Sequence, residues 1–182
     1  MPRARSADDG TAPRPPDGIT SLLAVATGLE HVLGPYAAEN WSHRAGIPAH
    51  VTVAGPWPSA AVPAPRAVFA RLAASAAPRT LVFRRLGLLG DAVCLFPDPA
   101  PWLDRCRAQA IAAVGTPDGT DARWRPHLTL ARLAEATEAA VAALAGRLPV
   151  ALPCRVDDAA LAVVTIAGGR ARVTGVGRAG SR

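Results

Sequence analysis

Two short motifs carry the side chains of this sequence that are best suited to proton transfer. The first is His50-Val51-Thr52-Val53 and the second is His127-Leu128-Thr129-Leu130, so both read His-apolar-Thr-apolar, with the histidines 77 positions apart. Histidine has an ordinary pKa of about 6.5, so near neutral pH one imidazole of a pair can be neutral while the other is charged. Such a pair can act as general base and general acid, while the threonine hydroxyls can donate hydrogen bonds to an anionic oxygen.

Each motif is predicted to lie on a β-strand. Side chains alternate between the two faces of a strand, so the histidine and the threonine project to one side while the apolar residues enter the core. Each motif also follows a proline within two residues and precedes a predicted helix. Two polar side chains on one face of an otherwise apolar strand indicate a functional surface.

The elements around the first motif can be predicted from hydrophobic periodicity and from the positions of glycine and proline. In chain order they are a buried strand at 22–26, a helix over 29–36 that Gly34 and Pro35 weaken, a loop over 40–49, and a strand over 50–54 that Gly55 and Pro56 are expected to close. The first motif therefore lies on the second predicted strand.

The remaining elements repeat this mixture of strands and helices. In chain order they are a helix at 65–76, strands at 80–86 and 88–96 around Gly87 or around Gly90-Asp91, a helix at 101–114, a turn-rich connection, the second motif's strand at 127–131, a helix at 137–148, and closing strands at 160–166 and 171–176. Gly168-Gly169 between the closing strands is a strong hairpin signal. Because strands and helices do not alternate strictly, the pattern favours an α+β fold with largely antiparallel sheets.

Composition divides the 182-residue chain into three parts. Residues 1–18 are rich in proline and charge and nearly devoid of large apolar side chains, which predicts a disordered leader. Residues 19–177 are long enough for one domain with a full core, and residues 178–182 form a short basic tail. The last thirteen residues supply four charges of the net +6, so the overall basic balance is only weak support for nucleic-acid binding.

Composition also disfavours several classes of protein. No apolar run approaches the roughly 20 residues that span a bilayer, and residues 22–26 lack a clear signal-peptide cleavage site, so we expect a cytoplasmic protein. Cys94, Cys106 and Cys154 are an odd number at wide spacing, which predicts buried thiols rather than disulfides or a zinc motif. The four histidines and the scattered acids form no recognisable ligand cluster, so no metal is expected.

The paired motifs resemble those of the two-histidine (2H) phosphoesterase superfamily and, more narrowly, its 2′-5′ RNA ligase and cyclic phosphodiesterase branch. The resemblance extends from about residue 20 to residue 176. The segment Pro126-His127-Leu128-Thr129-Leu130-Ala131-Arg132 is especially close to the family's second motif, including the arginine, and residues 48–53 match the first. The sequence departs from the family at Gly55-Pro56-Trp57, where a Pro-Phe or leucine-rich stretch is more usual, so the family's pocket wall on that side is not carried over.

The resemblance implies two pseudo-symmetric lobes of mostly antiparallel sheet, with helices packed outside and an active-site cleft between the lobes. It implies a metal-independent phosphodiesterase without cofactors that acts on a 2′,3′-cyclic phosphate, at an RNA end or on a small cyclic nucleotide. His50 and His127 would be the catalytic acid and base, and Thr52, Thr129 and Arg132 would bind the phosphate. By microscopic reversibility, the same groups would catalyse 2′-5′ RNA ligation. No obligate protein partner is evident, and we expect a monomer.

Several other side chains have two interpretations. Trp57, Trp124 and Tyr36 are candidates for stacking on a nucleotide base, with packing in the core or at its rim as the alternative. Arg132 could instead be a surface charge at the end of a strand. His43 lies in the loop before the first motif and could line the cleft.

One function of a different class stays open, a non-catalytic module of the same fold that binds a nucleotide or RNA. Binding alone does not need paired acid–base groups, so the intact histidines and threonines of both motifs favour the enzyme. The four motif residues fit RNA 2′,3′-cyclic ends, small cyclic nucleotides, ADP-ribose cyclic phosphates and 2′-5′-linked oligonucleotides equally well.

Overall fold

A computed structural model describes most of the chain between residues 18 and 176. The described ranges are 18–36, 40–62, 64–74, 79–117, 124–132, 137–146, 148, 152–156, 161–168 and 170–176. The predicted leader, apart from Gly18, and the predicted tail lie outside these ranges. In chain order the elements are β1 Ile19–Val25, α1 Glu30–Leu33, α2 Trp41–Arg44, β2 His50–Pro58, α3 Pro65–Ala74, β3 Arg79–Leu89, β4 Ala92–Pro97, α4 Pro101–Val114, β5 Leu128–Arg132, α5 Glu138–Ala145, β6 Leu152–Val156, β7 Leu161–Ala167 and β8 Arg170–Gly175.

Two four-stranded sheets build the two lobes. The first sheet has the order β2-β1-β7-β8 and the second has the order β5-β4-β3-β6, and every pairing in both is antiparallel. The predicted α+β class with largely antiparallel sheets is therefore confirmed. The two motif strands occupy equivalent places, since β2 and β5 are each an edge strand of their sheet, and they contact each other across the lobes.

Buried apolar side chains from both sheets, α3 and α4 form one large cluster. Val51 and Val53 of β2 and Leu128 and Leu130 of β5 belong to it, each with at most 1% of its surface exposed. The threonines between them are half-buried. The predicted alternation is thus confirmed, and burial of the apolar faces fixes the side from which each histidine and threonine projects.

The prediction that Gly55 and Pro56 close the first-motif strand was wrong, because β2 continues through both to Pro58. Pro56 is tolerated because β2 is an edge strand, where a missing N–H need not interrupt the ladder. Gly55 has a φ of +107°, and a Cβ there would lie 2.8 Å from Oγ and 2.9 Å from Cα of Ser21. Glycine at position 55 therefore allows β1 and β2 to approach closely.

Two local predictions can now be settled. The turn between β3 and β4 lies at Gly90-Asp91, whereas Gly87 lies within β3, where an added Cβ would be 3.2 Å from Cε2 of Phe96. The predicted helix over 29–36 is only one turn, α1, followed by a 3₁₀ turn at Gly34–Tyr36. The glycine and the proline do limit that helix, as their positions suggested.

Sequence reasoning missed two elements. Strand β6 contains Pro153 and pairs with β3 at the edge of the second sheet, where proline is tolerated. Helix α2 lies in the segment predicted to be a loop, and Asn40 caps it by accepting a hydrogen bond from the backbone N–H of His43. The closing hairpin of β7 and β8 was predicted correctly. Among the described residues, none of the helices is long and apolar enough to cross a membrane.

Candidate active site

The two motif histidines are anchored to the backbone in the same way. Nδ1 of His50 lies 2.7 Å from the carbonyl oxygen of Pro48, and Nδ1 of His127 lies 2.8 Å from that of Arg125. A carbonyl oxygen can only accept, so Nδ1 carries the proton in both rings. In the neutral tautomer, Nε2 of each histidine is then left as a proton acceptor for a ligand or a water.

Both imidazoles are half-buried, and their surroundings favour the neutral form. Burial lowers the pKa of His50 below 6.5, and the nearby charge of His127 lowers it further, against the opposing effect of the bond to Pro48. Burial also lowers the pKa of His127, and Arg132 and Arg125 add to this effect. The influence of His127 on His50 means that the two rings act within a common electrostatic environment.

A single pocket contains residues of both motifs. His50 of the first motif and Thr129 of the second line it together with residues from the segment before β2, namely Leu33, Asn40, Ser42, His43, Ile47, Pro48 and Ala49. The pocket therefore places the histidine of the first motif beside the threonine of the second, whereas His127 and Thr52 are not among the residues that line it. His43, whose position was open from the sequence, lines this pocket.

Thr129 contacts a thiol that the sequence did not connect with the motifs. Sγ of Cys94 on β4 lies 4.0 Å from Oγ1 of Thr129, and the cysteine is fully buried. Burial raises the pKa of Cys94 to about 11, so the thiol stays protonated at neutral pH. Cys94 and Cys106 are both buried thiols, as predicted, whereas the side chain of Cys154 lies outside the described residues.

Arg132 is engaged by an acid at the end of the neighbouring strands. Its Nη1 donates to both carboxylate oxygens of Asp91, 2.7 Å from Oδ2, and both side chains are exposed. To bind a phosphate, the Arg132 guanidinium would have to break its ion pair with Asp91 or contact the carboxylate and the phosphate at the same time. Its charge nevertheless acts on the site, because it lowers the pKa of His127.

The three aromatic candidates for base stacking differ in their surroundings. Trp57 is only 3% exposed, donates to the carbonyl of Gly115 over 2.8 Å and stacks on Phe69. Its place is in the core, so of its two interpretations the structure supports packing over stacking on a base. Trp124 is half-buried and donates from Nε1 to the carbonyl of Thr52 over 3.2 Å. Tyr36 is half-buried at the rim of the core cluster.

A group of residues beside His127 was missed from the sequence. The ring of Phe96 lies 6.4 Å from the His127 ring, and the guanidinium groups of Arg125 and Arg85 lie 4.9 and 6.0 Å from the Phe96 centroid. The position of Arg125, two residues before His127, was the only available signal. Within the described ranges, no three His, Cys, Asp or Glu side chains form a group that could hold a metal ion.

Comparison with known proteins agrees with this architecture. The sequence matches the family model of the 2′-5′ RNA ligase superfamily over residues 23–169. No curated protein sequence matches the chain. Escherichia coli LigT in complex with 3′-AMP has 18% identity and a TM-score of 0.52, covering 88% of this chain and 95% of its own. TT0787 of Thermus thermophilus has 19% identity and a TM-score of 0.54, covering 86% and 94%. At these identities, the structural likeness shows a shared fold.

Proposed function

The chain belongs to the 2′-5′ RNA ligase superfamily of 2H phosphoesterases, and we propose that it is a metal-independent phosphodiesterase acting on 2′,3′-cyclic phosphates, either at an RNA end or on a small nucleotide. The observation that carries the proposal is the matching arrangement of the two histidines. Each donates through Nδ1 to the carbonyl two residues before it, which leaves Nε2 of each ring as the atom that can exchange a proton, and the charge of His127 acts on His50. LigT has been solved with 3′-AMP and with NADP⁺, which supports a nucleotide ligand here.

The proposed reaction needs one neutral and one protonated imidazole. The neutral Nε2 removes a proton from water as the water oxygen attacks phosphorus. The bond between phosphorus and one ribose oxygen breaks, and the protonated imidazole gives its proton to that oxygen. The products are a ribose hydroxyl and a phosphate monoester at the neighbouring position, with the proton now on the other histidine. The oxygen that leaves decides whether His50 or His127 is the acid.

The two motif threonines and the phosphate of the bound substrate also contribute to this mechanism. Hydrogen bonds from Thr52 and Thr129 would stabilise the negative charge that develops on the non-bridging oxygens in the transition state. Because burial lowers the pKa of both histidines, the free protein favours the neutral imidazoles. A bound phosphate anion raises the pKa of a neighbouring imidazole and thus favours the protonated acid that the reaction requires. The reverse reaction would join a cyclic phosphate to a 2′-hydroxyl without ATP.

A hydrolysis screen tests this function directly. The purified protein is incubated with the four 2′,3′-cyclic nucleotides and with an RNA that ends in a 2′,3′-cyclic phosphate, each with and without EDTA. We expect turnover of at least one substrate and the same rate in the chelator, because the acid, the base and the proposed anion binders are side chains. Loss of turnover in EDTA with recovery on adding a divalent ion would refute the mechanism. Nucleotide binding without turnover would favour the alternative, a binding module of the same fold.

A further inference from the structure

The first motif strand contains a bulge immediately after its threonine. In the pairing of β2 with β1, Thr52 lies opposite Leu23 and Ala54 lies opposite Leu22, so Val53 is an additional residue in β2. A bulge disturbs the regular ladder and leaves local backbone groups in need of other partners. The side chain of Val53 is fully buried, so these groups lie close to the core.

The second motif strand contains a bulge at the equivalent position. Thr129 of β5 lies opposite Cys94 of β4 and Ala131 lies opposite Val93, so Leu130 is the additional residue. The extra residue also changes the alternation beyond it, because Arg132 then lies opposite Ala92, on the same face as Cys94 and Thr129. The bulge therefore places Arg132 on the face that carries Thr129, and the charge of Arg132 lowers the pKa of His127.

Asn40 provides partners for the carbonyl groups of the second bulge. Its Nδ2 lies 2.8 Å from the carbonyl oxygen of Thr129 and 3.3 Å from that of Leu130. Its Oδ1 accepts from the backbone N–H of His43 over 3.1 Å, and the residue is only 8% exposed. A single buried amide therefore connects the segment before the first motif to the threonine of the second.

Trp124 and Arg107 provide the corresponding partners for the first bulge. Nε1 of Trp124 lies 3.2 Å from the carbonyl oxygen of Thr52, and Nη1 of Arg107 lies 3.2 Å from that of Val53. The guanidinium of Arg107 lies 4.8 Å from the Trp124 ring centroid, and Arg107 is 7% exposed. Trp124 is three residues before His127, so it connects the segment before the second motif to the threonine of the first.

The contacts thus cross between the motifs, and we propose that Asn40 and Trp124 are positioning residues that set the two phosphate-facing threonines. We call the hydrogen bonds of Asn40, Trp124 and Arg107 to the bulge carbonyls the crossed brace. Each approach segment holds the threonine of the opposite motif, so the two hydroxyls are fixed relative to each other across the site. This inference rests on the proposed function for what the threonines bind, while the brace itself stands on the observed bonds.

Double-mutant cycles test whether each brace residue acts through its own threonine. Asn40→Ser keeps a hydroxyl that can cap α2 but removes the amide donors to the second bulge. Trp124→Phe keeps an aromatic ring beside Arg107 but removes the indole N–H. Each variant is combined with Thr129→Val and with Thr52→Val, and kcat and KM are measured separately on a 2′,3′-cyclic nucleotide.

The expected result is a crossed pattern of coupling. Asn40→Ser should reduce kcat/KM about tenfold alone and in the Thr52→Val background, but very little in the Thr129→Val background. Trp124→Phe should couple to Thr52 and not to Thr129. The proposal would be overturned if the effects on kcat/KM were additive in every double variant, or if Asn40 coupled equally to both threonines. A general loss of stability would affect both threonines alike, so only selective coupling indicates positioning. Asn40→Asp, which keeps both the shape and the cap, should show the same coupling partner.

A measurement without turnover separates failure of the brace from failure of the function. In protein labelled with ¹³C at the threonine methyls, Asn40→Ser should shift the Thr129 methyl resonance and leave that of Thr52 in place. Trp124→Phe should do the reverse. If no cyclic phosphate is hydrolysed but this crossed pattern is seen, the proposed function fails and the brace stands. If the enzyme is active but neither resonance responds selectively, the brace is refuted and the function stands.

Discussion

The pocket beside His50 is lined by Asn40, Ser42 and His43, whereas His127 lies within the influence of Arg125 and Arg132. The backbone holds the two imidazoles in the same way, so their difference comes from the side chains around them. His50 responds to burial and to His127, while His127 responds to burial and to the two arginines. Two equivalent strands thus present histidines with unequal surroundings, which is the asymmetry expected of the separate acid and base proposed above.

Removal of either imidazole is the strongest test of whether both motifs take part in turnover. His50→Ala and His127→Ala each delete a proton-transfer group but leave the threonines, so each should reduce kcat by a factor on the order of 10² or more. The effect on nucleotide affinity should be much smaller, as measured by isothermal titration with adenosine 3′-monophosphate. The double variant should be little worse than the worse single one. Near-wild-type turnover in both single variants would leave only the binding-module alternative.

Replacement of the threonines should have a smaller effect that is similar on the two sides. Thr52→Val and Thr129→Val keep the shape suited to a strand and remove one hydroxyl donor to the phosphate. A hydrogen bond to a charged group contributes roughly 1.5–3 kcal/mol, so kcat/KM should fall at least about tenfold in each. Steady-state kinetics measures the loss. A normal value for one variant alone would show that only one motif contacts the phosphate.

The pH dependence of activity should reveal the unequal surroundings. With the pKa of both histidines lowered from 6.5, the bell-shaped profile of kcat/KM, which reports the free enzyme, should have its optimum below pH 6.5. Arg125→Ala removes a cation that disfavours the charged His127, so the pKa of His127 should rise and one limb should move to higher pH. The control is Arg84→Ala, because Arg84 pairs with Asp98 and is not among the charges that lower the pKa of either histidine. Equal shifts in both variants would exclude a local effect of Arg125.

The dependence of stability on pH should give the smallest effect. A histidine whose pKa is lower in the folded state takes up its proton more readily when the protein is unfolded. Above pH 6.5 both states are neutral at this residue and the free energy of unfolding is at its full value; as the pH falls below 6.5, protonation favours the unfolded state and stability is lost. The melting temperature should therefore decrease on acidification from pH 7.5 to 5.5, and His50→Gln should reduce the decrease. The exposed His31 offers the matched control His31→Gln, which should leave the decrease as in the wild type. An unchanged slope in His50→Gln would contradict the lowered pKa of His50.

The alternation of the motifs could be predicted because it depends on neighbours in the sequence. Val51, Val53, Leu128 and Leu130 are buried as expected, and the polar residues between them project to the site side. The bulges could not be predicted, because an extra residue is defined only against the partner strand. Their side-chain partners were equally inaccessible, since Asn40 reaches a carbonyl 89 positions away.

The features that the sequence did not reveal share a physical cause, which is dependence on tertiary position. Trp57 lies between two prolines and Trp124 lies three residues before the second motif, so the sequence does not distinguish them. In the fold Trp57 is enclosed by the core, whereas Trp124 donates a hydrogen bond to the carbonyl of Thr52. Pro56 could continue a strand only because that strand lies at an edge of its sheet. Arg132 contacts Asp91 because β4 begins beside the residue at which β5 ends.

The protonated thiol beside Thr129 gives the second motif a natural chemical reporter. Because the thiolate is the reactive form, a fully buried Cys94 with a pKa of about 11 resists alkylation while β4 and β5 stay together. Alkylation of Cys94 at neutral pH then requires local opening of the sheet between β4 and β5, so the alkylation rate measures how often this opening occurs. A ligand that binds Thr129 should lower the rate at which Cys94 is alkylated. Mass spectrometry of the peptide that contains Cys94 would then report the occupancy of the second motif without any turnover of substrate.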